Sequence, residues 1–159
     1  MTRQTDFSVF LNRFLTDYLP NKRGSSPKTI DSYRYSFIFL IDYYEEAYRI
    51  GPDRLALADI TYEKISGYFD WLQETKLSSV STRNQRQAAI NSFIRFLMYE
   101  RPEYLNEYQR ILAIPVKKAP QKEISYLKTD GVSALMGTVD TSKTNGLRDY
   151  VILMLLYST

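Results

Sequence analysis

Ser26-Pro27-Lys28-Thr29-Ile30-Asp31-Ser32-Tyr33-Arg34-Tyr35-Ser36-Phe37-Ile38-Phe39-Leu40-Ile41-Asp42-Tyr43-Tyr44 reads as the opening of the longest helix of the chain. Ser26 is a side chain that caps a helix start, and Pro27 follows at the first helical position, where its missing N–H costs nothing. Ile30, Tyr33, Phe37, Leu40, Ile41, Tyr44 and Tyr48 then recur at helical spacing as one apolar stripe, and Gly51-Pro52 closes the segment. A helix of about 20 residues is ~30 Å long, the length of a small domain, so this element is expected to be its spine.

The neighbouring segments are built to pack on that spine. Upstream, Phe7, Phe10, Leu11, Phe14, Leu15 and Tyr18 predict a helix from Asp6 to Tyr18, with Pro20 and Gly24 expected to break it. Downstream, Thr61 caps a third helix whose stripe is Ile65, Tyr68, Phe69 and Leu72. Ser78-Ser79-Val80-Ser81 introduces a fourth helix that runs to about Glu100 on Ile90, Phe93, Ile94, Leu97 and Met98. The first turns of that helix, Ser81-Thr82-Arg83-Asn84-Gln85-Arg86-Gln87, hold no apolar residue, so they are expected to project past the core. Pro102 ends it, and Glu103 to Leu112 suits a short fifth helix.

Ile114-Pro115-Val116-Lys117-Lys118-Ala119-Pro120 reads as a linker, since its prolines cannot continue a helix. After it come a short strand at Glu123 to Leu127, a helix at Thr129 to Met136 capped by Thr129, and a helix from Asn145 to Ser158. The expected architecture is therefore all-α: an orthogonal four- to five-helix bundle over residues 1–116, a linker at 117–123, and the start of a second unit at 124–159. The run Tyr150 to Tyr157 is apolar on most sides, and too few residues follow the linker to cover it. The natural protein is expected to continue beyond Thr159, the alternative being a small hairpin packed back on the bundle.

Composition narrows the chemistry. The 159 residues include no histidine and no cysteine, which removes the commonest general base, the commonest metal ligand and every thiol reaction. No carboxylate cluster is spaced for a metal, so no metal and no cofactor are expected. Glu45-Glu46 and Asp70 with Glu74 read as solvated helix faces. Of the 14 tyrosines, Tyr33, Tyr44, Tyr48 and Tyr68 lie on apolar stripes and are assigned to the core. The N-terminus lacks the apolar run of a secretory signal, and Val151 to Tyr157 is too short to span a bilayer. A cytoplasmic protein without a membrane partner is the expectation.

The net charge of +3 says little, but its distribution says more. From Thr75 to Tyr99 there is no acid, and Lys76, Arg83, Arg86 and Arg95 are present. From Tyr108 to Lys122 there is again none, with Arg110, Lys117, Lys118 and Lys122. The acids concentrate between Asp42 and Glu74, so one basic and one acidic side are expected. The start of the fourth helix offers free N–H groups, a positive dipole end and the donors Thr82, Asn84, Gln85 and Arg86. The start of the second, with Lys22, Arg23, Ser25, Ser26, Lys28 and Thr29, is similar in kind. Two such helix starts side by side would suit a DNA groove and its flanking phosphates. Two ordinary capped, solvated helix ends have the same composition, and Lys117, Lys118 and Lys122 suit either a phosphate-crossing strap or a solubilising linker.

A family resemblance bears on that choice. Ser26-Pro27-Lys28-Thr29-Ile30 with Tyr33, Phe37 and Leu40 resembles the "S-x-x-T-x-x-x-Y" helix start of the core-binding, SAM-like domain of the phage-integrase (tyrosine recombinase) family. Ser81 to Phe93 resembles that domain's "T-x-N-R-R-L-x-A-L-R-x-F" helix. Ser125-Tyr126-Leu127-Lys128-Thr129-Asp130 is similar to the entry into the catalytic domain, and Leu147 to Thr159 to the helix leading into the "T-G-x-R" box. The likeness covers nearly the whole chain in the family's order. It departs at Arg83 and Gln87, where the family helix is apolar; these two continue the Ile90-Phe93-Ile94-Leu97 stripe, so either they turn toward DNA at the helix tip or Arg83 pairs with an acid.

The resemblance implies a DNA-clamping domain followed by an incomplete mixed α/β catalytic-domain start. It implies double-stranded DNA as partner, contacted by Ser26, Lys28, Thr29, Thr82, Arg83, Asn84, Gln85, Arg86, Lys117, Lys118 and Lys122. In the family, arginines, a lysine and His/Trp-type residues activate a phosphodiester and a tyrosine attacks it, giving a 3′-phosphotyrosyl link. No metal or nucleotide cofactor takes part, and the full-length protein acts as a homotetramer on DNA. The first catalytic arginine would fall just beyond Thr159, so no catalytic residue is assigned here, and a monomer is compatible with this piece. A non-catalytic helical protein-interaction module, docking through its apolar C-terminal helix, stands as the alternative.

Overall fold

A computed structural model of the chain describes residues 4–118 and 129–158. The chain divides into two compact units, Met1–Ala119 and Pro120–Thr159. Among the described residues every regular element is helical. The strand expected at Glu123 to Leu127 lies outside the described residues, as does Lys122.

In the first unit, α1 (Asp6–Arg13) starts at Thr5, whose side chain accepts from Ser8 N. Contrary to expectation, Pro20 does not break the segment: the chain passes directly into a π-helix, Phe14–Lys22, with Pro20 inside it. The wider winding bonds each residue five back, so it brings Phe14 and Leu19 onto one face, and both are fully buried. An α-helix would have set the proline ring against the carbonyl four residues earlier. Gly24, at φ +63, then turns the chain.

The spine, α2 (Pro27–Tyr48), is capped as expected: the Ser26 side chain accepts from Thr29 N. Phe37, Leu40 and Tyr44 of the anticipated stripe are buried. Tyr48 is not core; it is 41% exposed at the end of α2, with the Lys64 ammonium 5.1 Å over its ring. The buried tyrosine there is Tyr43, whose hydroxyl meets that of Tyr48 at 3.2 Å. A single helical turn at Leu57–Asp59 follows, receiving Tyr44 Oη on Asp59 O (2.9 Å) and donating Leu57 N to Asp6 on α1 (2.9 Å).

α3 (Tyr62–Glu74) has Thr61 as its cap and buries Ile65, Tyr68, Phe69 and Leu72. Burial pushes the Tyr68 phenol well above its ordinary pKa, and its hydroxyl donates to Ser36 O. α4 (Val80–Glu100) is capped by Ser79, with Ile90, Phe93, Ile94 and Leu97 in the core. A 3-10 turn at Pro102–Tyr104 leads into α5 (Leu105–Leu112), tied to α3 by Glu107, which accepts from Tyr62 N at 2.9 Å. Phe93 is the centre of the core: its ring lies 5.2 Å from both Phe14 and Phe37 and 5.9 Å from Phe7, edge to face in each case.

Leu77, between α3 and α4, has φ 49 and is 83% exposed. A branched side chain in the left-handed region is strained and here gains no burial in return. Leu77→Gly is expected to stabilise the bundle by about 0.5–1 kcal/mol, the relief of strain exceeding the entropy of the freer unfolded chain. A lower urea midpoint in the variant would show that Leu77 makes a contact worth keeping.

In the second unit, α6 (Thr129–Gly137) includes Thr129 as a helical residue, and α7 (Thr144–Ser158) begins one residue before the expected Asn145. Gly146 is required by packing: a Cβ there would lie 2.0 Å from Asp140 O. Ile152, Met154 and Leu156 on α7 are 47%, 45% and 71% exposed.

Candidate nucleic-acid interface

The two polar helix starts meet at their second turns. Gln85 Nε2 donates to Ser32 Oγ (2.8 Å), the Arg23 guanidinium donates to Ser92 Oγ, and Arg86 stacks 3.7 Å from the centre of the Phe39 ring. The second turn of α4 thus meets α2 from Ser32 to Phe39, the middle of α4 meets Phe37 through Phe93, and the segment before α2 meets Ser92. The basic groups are spread along these contacts rather than gathered at one point.

Each helix start is internally satisfied in the same way. Ser26 Oγ accepts from Thr29 N at 3.3 Å and meets Thr29 Oγ1 at 2.9 Å. Ser79 Oγ accepts from Thr82 N at 3.2 Å and meets Thr82 Oγ1 at 3.0 Å. Ser26 and Lys28 are exposed and Thr29 is half-buried. Gln85 is exposed, while Thr82 and Arg86 are half-buried, Arg86 donating to Ser78 Oγ at 3.0 Å.

The first turns of α4 do not project past the core, contrary to expectation. Arg83 is 3% exposed and Gln87 fully buried, extending the core stripe with polar atoms. The chain leaving α5 covers them: Gln87 Nε2 donates to Ile114 O at 2.7 Å. Arg83 lies 4.7 Å over the Phe69 ring and donates to Gln87 Oε1 (2.6 Å) and Asn84 Oδ1 (3.1 Å). Its acceptors are all neutral, and desolvation lowers its pKa from the ordinary arginine value. Buried arginines are usually paired with a carboxylate; this one is not. Asn84 is turned to the same chain, donating to Lys117 O (2.6 Å) and accepting from Lys117 N (3.3 Å). The Lys117 ammonium reaches Gln73 Oε1, and Lys118 is exposed.

The distribution of ion pairs separates two kinds of surface. Arg13, Arg34, Lys64, Lys76, Arg101 and Arg110 each hold a carboxylate within salt-bridge distance. The bond from Lys76 is the main reason the Glu46 carboxyl lies below its ordinary pKa. Among the described residues of the first unit, Lys22, Arg23, Lys28, Arg83, Arg86, Arg95, Lys117 and Lys118 hold none. Arg49 and Arg54, in the loop after α2, are the other unpaired cations there. The eight lie on α4, at the approach to α2 or in its first turn, or on the chain leaving α5. Arg23 was read as part of the polar start of α2 but not singled out as a DNA contact; Arg95, exposed one turn beyond Ser92, was legible only as part of an acid-free run. Among the described residues no group of three carboxylates gathers to hold a metal ion, and no helix is long and apolar enough to cross a membrane.

The helical bundle is of a class that the known families contain. The family model for the phage integrase N-terminal SAM-like domain matches residues 11–101, and the chain belongs to that family. Its similarity extends to a putative integrase/recombinase, y4rC, of Sinorhizobium fredii, 35% identical over 159 residues, covering 100% of this chain and 48% of the relative. A second Sinorhizobium fredii protein, the putative integrase/recombinase y4rD, is 30% identical over 159 residues, covering 57% of its own length. The tyrosine recombinase XerC of Myxococcus xanthus is 30% identical over 153 residues, covering 96% of this chain and 47% of the relative. The chain thus spans about half the length of the curated relatives it matches. No solved structure matches it.

Proposed function

We propose that this chain binds double-stranded DNA as the core-binding part of a tyrosine-type site-specific recombinase, holding the duplex along the α2–α4 seam. The observation that carries this reading is the row of cations without carboxylate partners. A cation already paired gains little by meeting a phosphate, whereas an unpaired one releases condensed counterions.

In this reading Lys22, Arg23, Lys28, Arg86, Arg95 and Lys118 meet phosphates, Gln85 reaches groove edges, and Arg83 adds field from inside without contact. Strand cleavage through a 3′-phosphotyrosyl link, and tetramer assembly on DNA, belong to a protein of the relatives' length. No metal or organic cofactor enters.

The test is a titration of residues 1–159 against a duplex at several salt concentrations. The association constant is expected to fall steeply with salt, with a log–log slope of about −4 to −6 for five or six phosphate contacts. A flat slope, or no binding at low salt, would sink the reading. A helical interaction module using the exposed apolar residues of α7 would then take its place.

A further inference from the structure

We infer that Asn84, Gln87 and Arg83 are positioning residues, which read the backbone of residues 114–117 and so fix the path by which the chain leaves the helical bundle. The consequence for Lys118 rests on the DNA-binding function proposed above; the anchor itself does not.

The argument begins with an anomaly of the sequence. Arg83 and Gln87 occupy core positions of α4 where apolar side chains would suffice for stability, since a buried polar cluster is commonly no more stable than an apolar one of the same volume. Their polar atoms are not spent on groups that need rescue within α4. They are spent on the departing chain: Gln87 Nε2 on Ile114 O, and Arg83 on holding the Gln87 and Asn84 side-chain oxygens. Held in that way, the Asn84 amide makes a two-point contact with one residue, donating to Lys117 O and accepting from Lys117 N.

An amide that both gives and takes a bond with the same backbone unit fixes its direction as well as its position. Pro115 removes an N–H from the same stretch and fixes its own φ, so the segment has few other ways to run. Lys117 is further tethered through its ammonium to Gln73 on α3. The exposed side chain that follows, Lys118, is therefore delivered at the α4 end of the basic seam instead of sampling a broad volume. Tethering a charge in place lowers the ordering cost of the contact it later makes.

Asn84→Leu tests this, because it removes both bonds to Lys117 without placing a strain on α4. Amide exchange read by mass spectrometry on residues 1–159, without DNA, is expected to rise about five- to ten-fold at residues 116–118 and to stay unchanged through Ile90 to Leu97. Gln87→Leu, which attacks the anchor from its buried side, is expected to do the same. Unchanged exchange at 116–118 in both variants would overturn the anchor.

The second readout is on DNA. In the parent chain Lys118→Gln is expected to reduce the salt slope by about one, and in the Asn84→Leu background to change it by less than half as much. Equal effects in the two backgrounds would overturn the delivery of Lys118 while leaving the anchor intact. Absence of any salt-dependent binding in the parent chain would defeat the proposed function and the delivery together, with the exchange result still deciding the anchor.

Discussion

Phe93→Ala is expected to cost about 3–5 kcal/mol, the range for emptying a fully buried phenylalanine site. The ring is 1% exposed and meets Phe7, Phe14 and Phe37 edge to face, from three different elements. Such pairs add to burial through the attraction of a ring's positive edge for its neighbour's face, about 0.5–1.5 kcal/mol each. The neighbours cannot close the gap, because Phe14 is held by the π-helix and Phe37 by the middle of α2. Urea unfolding should show the midpoint falling with little change in slope. Phe93→Leu, which refills most of the volume, should recover more than half of the loss. A loss below about 1 kcal/mol for the alanine variant would mean that the aromatic centre repacks freely, against the geometry described.

Replacing Lys28 and Arg86 together by alanine is expected to weaken duplex binding about ten- to a hundred-fold at low salt and to reduce the salt slope by about two. Lys28 is on the first turn of α2 and Arg86 on α4, and their effects on the salt slope should sum, since each releases its own counterion. Arg86→Ala also uncovers the face of Phe39, so its stability must be measured alongside; a small loss of folding free energy would not alter the slope, which counts displaced ions. Arg34→Ala supplies the contrast, since Arg34 is an exposed cation on α2 already paired with Asp31 at 2.8 Å. It should leave the slope as it was. If Lys28 and Arg86 prove as silent as Arg34, the seam is not the DNA-facing surface.

Much of the bundle was legible because the deciding signals are local. Ser26, Thr61 and Ser79 cap helices through bonds three residues away, and the α3 stripe of Ile65, Tyr68, Phe69 and Leu72 is buried as its spacing foretold. The family resemblance, drawn from the Ser26 and Ser81 segments, agrees with the matched residues 11–101.

What failed to show was decided at a distance. Pro20 is a break signal in isolation, and only the packing of Phe14 and Leu19 explains why the chain winds through it. Tyr48 shares the spacing of the core stripe but is covered only in part, by Tyr43, Tyr44 and the Lys64 ammonium of α3. Arg83, Asn84 and Gln87 read as donors awaiting an outside acceptor; their acceptors lie some thirty residues on, in a stretch that carries no pattern to announce it. That the second turn of α4 meets α2 from Ser32 to Phe39 is likewise a tertiary fact.

The winding of Phe14–Lys22 bears on how lengths can vary in this fold. Phe14 and Leu19 share a face across five residues there, whereas an ordinary α-helical turn would need four. The segment is thus longer by one residue than the wall it builds requires. A homologue lacking one or two residues between these two positions, with Pro20 also replaced, would keep both anchors in the core by reverting to regular winding, four or three residues apart. A homologue lacking three would place them two apart, on opposite sides of the helix. Tolerance to deletion in this fold should therefore be stepped at its first helix, admitting a short gap inside a helix where gaps are ordinarily forbidden.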